Sequence, residues 1–180
     1  MSREFHLKTP IRDEDLSEIN TGDIVYLTGT LVTARDAVHI RVVREGISPP
    51  VDLRGLAIFH AGPVMRRVED KWECLSIGPT TSTRMESLEA EFIEKTGIKL
   101  IAGKGFMGQR TAEACEKFGC IVTLFPGGCA ALAAERVKEV KEVYWYEDFG
   151  MPEALWVLEV ENFGPLLVTI DSRGKMLRKN

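Results

Sequence analysis

The run from Ile24 to Val32 is β-branched and aromatic, broken only by Gly29, and it predicts a strand with an irregularity at the glycine. It delivers Thr33, Ala34 and Arg35 to a loop. Asp36 then opens a segment in which Ala37, Val38, Ile40, Val42 and Val43 predict a short buried helix, with Arg41 and Arg44 facing water. Leu56 to Phe59, Val64 to Val68 and Trp72 to Ile77 predict three short strands, separated by Gly62-Pro63 and Glu69-Asp70, and their spacing suggests antiparallel pairing. The hydroxyls from Thr80 to Thr83 offer N-caps to a helix whose apolar stripe is Met85, Leu88, Phe92 and Ile93 and whose end is Gly97.

Beyond Gly97 the pattern alternates. Ile98 to Ala102 predicts a strand, Thr111 to Phe118 a helix closed by Gly119, Cys120 to Phe125 a strand, and Cys129 to Val137 a helix. Such alternation favours parallel crossover units. Strands then return at Val143 to Tyr146, Leu155 to Val160 and Leu166 to Ile170, punctuated by Gly150, Pro152, Gly164 and Pro165. The polar segment from Arg173 to Asn180 reads as a solvated end. The expectation is an α/β domain with a βαβ-like centre and β-rich flanks, one domain over residues 1–180.

Composition narrows the partners. Apolar residues make up 44% of the chain and charged residues 28%, the balance of an ordinary globular protein. A net charge of −4 argues against a general nucleic-acid partner. No apolar run approaches the ~20 residues of a membrane helix, and the polar start Met1 to His6 lacks a secretory core, so a cytoplasmic protein is expected. The four cysteines, Cys74, Cys115, Cys120 and Cys129, are too irregular for a disulfide scaffold. Cys115, Cys120 and Cys129 also lack cluster-ligand spacing, so no metal site is expected on this chain.

Three cations stand where predicted strands give way to loops or helices: Arg35, Arg84 and Lys104. Ligands of open α/β sheets bind at such carboxyl ends, which points to an anion site. Arg84 near a helix start opposes the helix dipole, a conflict that an anion would remove; a solvated arginine lying over the helix is the alternative. Lys104, between Gly103 and Gly105, can approach a ligand closely, although the loop lacks Walker A spacing. The loop from Phe125 to Ala130 either presents backbone N–H groups to an anion or is a tight turn. His39 and His60 are possible acids, bases or hydrogen-bond donors, or else structural residues.

The segments Thr33 to His39, His60 to Val64, Gly78 to Met85 and Gly103 to Gly105, in this order, resemble the β subunit of class I fumarate hydratases and L-tartrate dehydratases, equivalent to the C-terminal domain of single-chain forms. The resemblance covers nearly the whole chain. It implies a swivelling β/β/α domain closing over a separate α subunit that carries a 4Fe-4S cluster, in a heterotetramer, with a homodimer when the chain is isolated. It also implies that Arg35, Thr80, Arg84 and Lys104 contact a C4 dicarboxylate. Thr80 and Lys104 would be catalytic, with Thr80 considered for handling the C3 proton; Thr80 and Thr81 otherwise simply cap a helix.

The physical reading agrees with that implication. Arg35 and Arg84 offer planar forks for two carboxylates and Lys104 a mobile charge, while a departing hydroxyl requires a Lewis acid, which an open cluster iron on the partner would supply. The expected reaction is reversible hydration of fumarate to (S)-malate, or else dehydration of L-tartrate or a related hydroxy diacid. A non-catalytic anion-binding or regulatory module is the alternative of another class.

Overall fold

The computed structural model describes residues 2–126 and 129–177. Gly127 and Gly128, part of the loop proposed as an anion cradle, lie outside the described residues, as do the last three residues of the tail. The first half of the chain holds β1 (Glu4–Lys8), α1 (Asp13–Leu16), β2 (Ile24–Thr33), α2 (Asp36–Val43), β3 (Ala57–Phe59), β4 (Ala61–Val68) and β5 (Lys71–Pro79). A 3-10 turn (Ser82–Met85) leads into α3 (Glu86–Thr96). Then come β6 (Leu100–Gly103), α4 (Gln109–Phe118), β7 (Ile121–Leu124), α5 (Ala130–Glu135), β8 (Val137–Tyr144), α6 (Tyr146–Phe149) and β9 (Leu155–Ile170). Among the described residues no helix is long and apolar enough to cross a membrane.

Strands β2, β3, β6 and β7 run parallel in that spatial order, β9 is antiparallel to β7, and β9 also pairs with β2 along most of its length. The five strands thereby close into a barrel, with β1 added in parallel to β2 and β8 antiparallel to β9. The class is mixed α/β, as the alternating pattern predicts. The antiparallel reading of the middle region holds only for the β4–β5 hairpin; β3 is parallel to both its neighbours, β2 and β6. That pairing is set by strands distant in sequence, which local spacing does not reveal.

Alternation along the strands sorts side chains into two cores. Ala57, Phe59, Leu100, Ala102, Ile121, Trp156 and Leu158 face the barrel interior, where Phe59, Phe125 and Phe163 also meet. Ile58, Ile101, Val122, Leu155 and Val157 face outward against α2, α3 and α4, packing with Val38, Phe92, Ile93 and Cys115. With both faces buried, these strands read as continuous apolar runs. Helices α3 and α4 end at left-handed Gly97 and Gly119, as predicted.

Several expectations are corrected. The hydroxyls of Thr80 to Thr83 do not cap α3: neither Thr81 nor Met85 makes a side-chain cap bond, and the helix starts from the 3-10 turn with Glu86 and Glu89 in its first turn. Acidic residues there suit the helix dipole. The two predicted C-terminal strands are one, β9, because the ladder against β2 resumes on both sides of Gly164-Pro165 across a register shift, with Leu166 opposite Val25 and Phe163 opposite Leu27. Arg41 is not in water; its guanidinium lies 4.2 Å from the centre of the Phe149 ring, also faces Trp145, and pairs with Asp148. The tail is tied down at least to Leu177, since Arg173 donates to the carbonyls of Ser17 and Ile19 at 2.9 Å and Leu177 N–H to Thr169 O at 2.8 Å.

Gly29 marks the place where β1 leaves the edge of β2 and β3 takes over. Its φ is +110°, and a Cβ there would stand 2.2 Å from Thr9 Oγ1, which accepts a hydrogen bond from Thr30 N–H at 2.6 Å. Gly29→Ala is therefore expected to destabilise the isolated chain by on the order of 1–3 kcal/mol in urea unfolding, whereas an unchanged midpoint would show that the bulge is not strained.

Candidate functional site

Strands β2, β3 and β6 end at the same rim of the barrel, so Arg35, His60 and Lys104 follow one another across it. The hairpin β4–β5 starts after His60 and returns through the Ala61–Pro79 pair, which sets Thr80 beside His60. Thr80 N–H donates to His60 O at 2.6 Å, Lys104 N–H to Thr80 O at 3.2 Å, and Ser82 N–H to Lys104 O at 2.8 Å. Thr81 and Lys104 form a parallel bridge. Residues from three separate stretches are thus fastened by backbone bonds alone.

Arg35 precedes α2 and has 19% side-chain exposure; its Nε lies 3.3 Å from Glu153 Oε1, while Glu153 Oε2 accepts from Ala37 N–H at 3.0 Å. The arginine packs over Gly62, where a Cβ would meet Nη1 at 2.4 Å. Arg84, 53% exposed, donates from Nε to Asp36 Oδ1 at 3.2 Å and from Nη2 approaches Asp36 Oδ2 at 3.1 Å. Asp36 therefore stands next to Arg35 in sequence and against Arg84 in space, and it removes the helix-start conflict that the sequence leaves to a ligand. Lys104 is exposed and makes no ion pair among the described residues. Its loop is pinned farther along by Glu86, whose carboxylate accepts from Gly108 N–H at 2.8 Å and from Thr111 Oγ–H at 2.7 Å.

His39 and His60 do not sit at this surface. Both are fully buried behind it, with Glu89 of α3 between them: Glu89 Oε2 is 3.1 Å from His39 Nε2 and 2.9 Å from His60 Nε2. The His60 contact is an ion-pair approach rather than a straight hydrogen bond. His39 Nδ1 lies 2.8 Å from Arg35 O, and His60 Nδ1 lies 2.9 Å from Ser82 Oγ. Burial disfavours charge on His39, but the carboxylate of Glu89 outweighs it and raises the imidazole's pKa. Burial likewise disfavours an ionised Glu89, yet His39 and His60 hold it down at about 2.

Glu86, Glu89 and Glu153 are absent from the sequence reading, which gives Asp36 only as a helix start and Ser82 only among the capping hydroxyls. Glu89 left a signal, since it falls on the same helical stripe as Leu88, Phe92 and Ile93 and an acid on an apolar stripe needs a buried partner. Glu153 left none, as its partners are more than a hundred residues away.

The chain's cysteines do not form a ligand set. Cys115 and Cys120 are buried in the outer core, whereas Cys74 and Cys129 pack against the barrel core. Among the described residues, the only His, Cys, Asp and Glu side chains gathered closely enough for a metal are His39, His60 and Glu89, which do not offer thiolates for an iron–sulfur cluster. A cavity of about 540 Å³ beside β1, lined by Phe5 to Pro10, Arg12 and Asp15, contains none of the rim residues.

The family described as Fumarase C-terminus matches residues 1–180. The chain is 57% identical over 171 residues to the L(+)-tartrate dehydratase subunit beta of Escherichia coli strain K12, covering 95% of this chain and 85% of that protein. It is 47% identical over 167 residues to a putative L(+)-tartrate dehydratase subunit beta of Methanocaldococcus jannaschii, covering 91% and 86%. A putative class I fumarate hydratase of Geobacillus stearothermophilus is 39% identical over 179 residues, covering 99% of this chain but 34% of that longer protein. Matched from end to end by one family and at 57% identity by a β subunit, this chain belongs to the fumarase C-terminal family.

Proposed function

We propose that this chain is the β subunit of a two-chain hydro-lyase acting on a C4 hydroxy diacid, with L(+)-tartrate as the favoured substrate. The observation that carries the reading is the 57% identity to a tartrate dehydratase β subunit spanning 95% of this chain. Fumarate hydration is the second reading, favoured by the 39% match to a class I fumarate hydratase. The partner would be an α subunit holding a 4Fe-4S cluster, a division of labour supported by the sorting of this chain's cysteines into two packed cores. In this reading the chain acts as one domain that swivels to close the shared site.

The rim supports the substrate class. Arg35 and Arg84 are forks suited to the two carboxylates, and Lys104 contributes a charge with no competing acid among the described residues. The Arg84 guanidinium has an exchangeable partner: its pair with Asp36 is half exposed on the arginine side, and such pairs contribute about 0–1 kcal/mol, so a substrate carboxylate can take over from Asp36 at small cost, whereas the Arg35–Glu153 pair is more enclosed. Removing the proton next to a carboxylate builds negative charge onto that group, and a cation aimed at it stabilises the transition state more than the substrate. Thr80 would handle that proton. A hydroxyl serves this purpose only where a neighbouring group takes its proton or positive charge stabilises the alkoxide, and the backbone bond between Thr80 and Lys104 supports a place for the lysine near it.

The reading is tested by co-expressing the chain with its α subunit, isolating the complex without oxygen, and measuring oxaloacetate from L(+)-tartrate and malate from fumarate. A kcat/KM for tartrate at least about tenfold above that for malate or fumarate is expected; the reverse order would install the second reading, and no turnover with diacid still bound would favour a binding module. In the same complex, Arg84→Ala or Lys104→Ala is expected to lower kcat/KM by about 100-fold or more with unchanged melting of the isolated chain. Wild-type rates in both variants would discard the site assignment.

A further inference from the structure

Behind the rim, four side chains join the two halves of the site. Both nitrogens of His39 face oxygens that accept: Nδ1 faces the carbonyl of Arg35 and Nε2 the carboxylate of Glu89. A carbonyl only accepts, so Nδ1 carries a proton, and an ionised carboxylate requires a second proton on Nε2. His39 is therefore an imidazolium inside the protein, stacked on Phe92 at 4.2 Å. The same carboxylate oxygen stands 2.9 Å from His60 Nε2. His60 Nδ1 lies 2.9 Å from Ser82 Oγ, and in the tautomer protonated at Nε2 it accepts a hydrogen bond from the Ser82 hydroxyl.

The two ends of this chain of contacts are the points that matter. One end is the backbone of Arg35, the other is Ser82, which sits between Thr80 and Arg84 and whose N–H bonds the carbonyl of Lys104. Gly103 leaves the space: a Cβ there would stand 2.0 Å from Ser82 Oγ and 3.0 Å from His60 Nδ1. A buried pair of this kind is costly unless its members are fully engaged, and hydrophobic residues of the same volume would often stabilise the fold as well or better. Its charge thus needs a reason other than stability.

We propose that His39, Glu89, His60 and Ser82 form a positioning network that holds the Arg35 side and the Thr80–Arg84 side of the diacid site in one register, an inference that rests on the function proposed above. None of the four touches substrate. The groups facing His39 are Glu89 from α3, His60 from the β3–β4 junction, and Asp36 and the Arg35 carbonyl from the start of its own helix; Cys120, ahead of β7, also feels the charge of Glu89. Because the pKa of His39 is raised, the network is intact below the ordinary imidazole range and is lost as pH rises through the raised value. Glu89, held at about 2, stays ionised throughout the neutral range.

Three variants of the αβ complex test this. Ser82→Ala leaves the His39–Glu89 pair in place but removes the partner of His60 Nδ1; it is expected to stay folded with a melting point a few degrees below wild type while kcat/KM for the diacid falls about tenfold, with a raised KM. Glu89→Gln keeps the shape without the charge, and the alkaline limb of its kcat/KM profile is expected to move to lower pH, with Glu89→Asp returning the limb toward wild type. Nitrogen-15 NMR of the isolated chain reads the network independently of turnover: both His39 nitrogens are expected to be protonated at neutral pH in wild type and not in Glu89→Gln. Wild-type kinetics in Ser82→Ala, a neutral His39, or a stoichiometric metal ion bound to the purified chain would each overturn the network. If the wild-type complex turns over no diacid, the proposed function fails, and a neutral His39 in the spectrum would then overturn the network as well.

Discussion

Barrel closure through β9 is the constraint on which the rest depends. By pairing with β2 along one edge and β7 along the other, β9 forces the parallel strands β2, β3 and β6 to curve and to finish at a common rim. Arg35, His60 and Lys104 follow those ends, so the rim collects cations spread over about seventy residues of chain, with the His60 side chain buried behind them. The β4–β5 hairpin then returns Thr80 to the same place, because its pairing starts beside His60 and ends one residue before Thr80. Convergence is a backbone property here, and side chains refine it.

The rim is electrostatically satisfied in part. Arg35 faces Glu153 and Arg84 faces Asp36, while Lys104 stands without an acid among the described residues. In the proposed reading a diacid would displace Asp36 from Arg84 and meet the free charge of Lys104, and because the displaced acid stays on the chain the site would gain the ligand's full negative charge. Behind the rim the order is inverted: a carboxylate is enclosed by two imidazoles in a fully buried layer between the barrel and α3.

Much of this is visible in the chain itself, for reasons that are local. The helix from Glu86 to Thr96 shows its stripe and its terminal glycine, and the strand from Ile24 shows both its β-branched run and the bulge at Gly29. The cations at strand ends are legible because strand, breaker and basic residue are adjacent in sequence. Misreadings arise where a distant partner decides. Gly164-Pro165 looks like a boundary but lies within β9, whose ladder with β2 spans it; Arg41 looks solvated but is claimed by Phe149 and Asp148. The hydroxyls of Thr80 to Thr83 look like caps because a cap is the local option, while Ser82 is engaged by a histidine twenty-two residues earlier. Glu89 is the instructive omission, since its place on an apolar stripe was readable and its two partners were not.

The central claim is that guanidinium and ammonium groups on this chain hold a small diacid presented to a neighbouring subunit. The most direct measurement is a crystal structure of the αβ complex with L(+)-tartrate bound. The expected result is Arg35, Arg84 and Lys104 nitrogens at about 2.7–2.9 Å from the ligand's carboxylate oxygens, with Asp36 displaced from Arg84. A ligand enclosed wholly by the α subunit, with these three residues turned away from it, would contradict the claim.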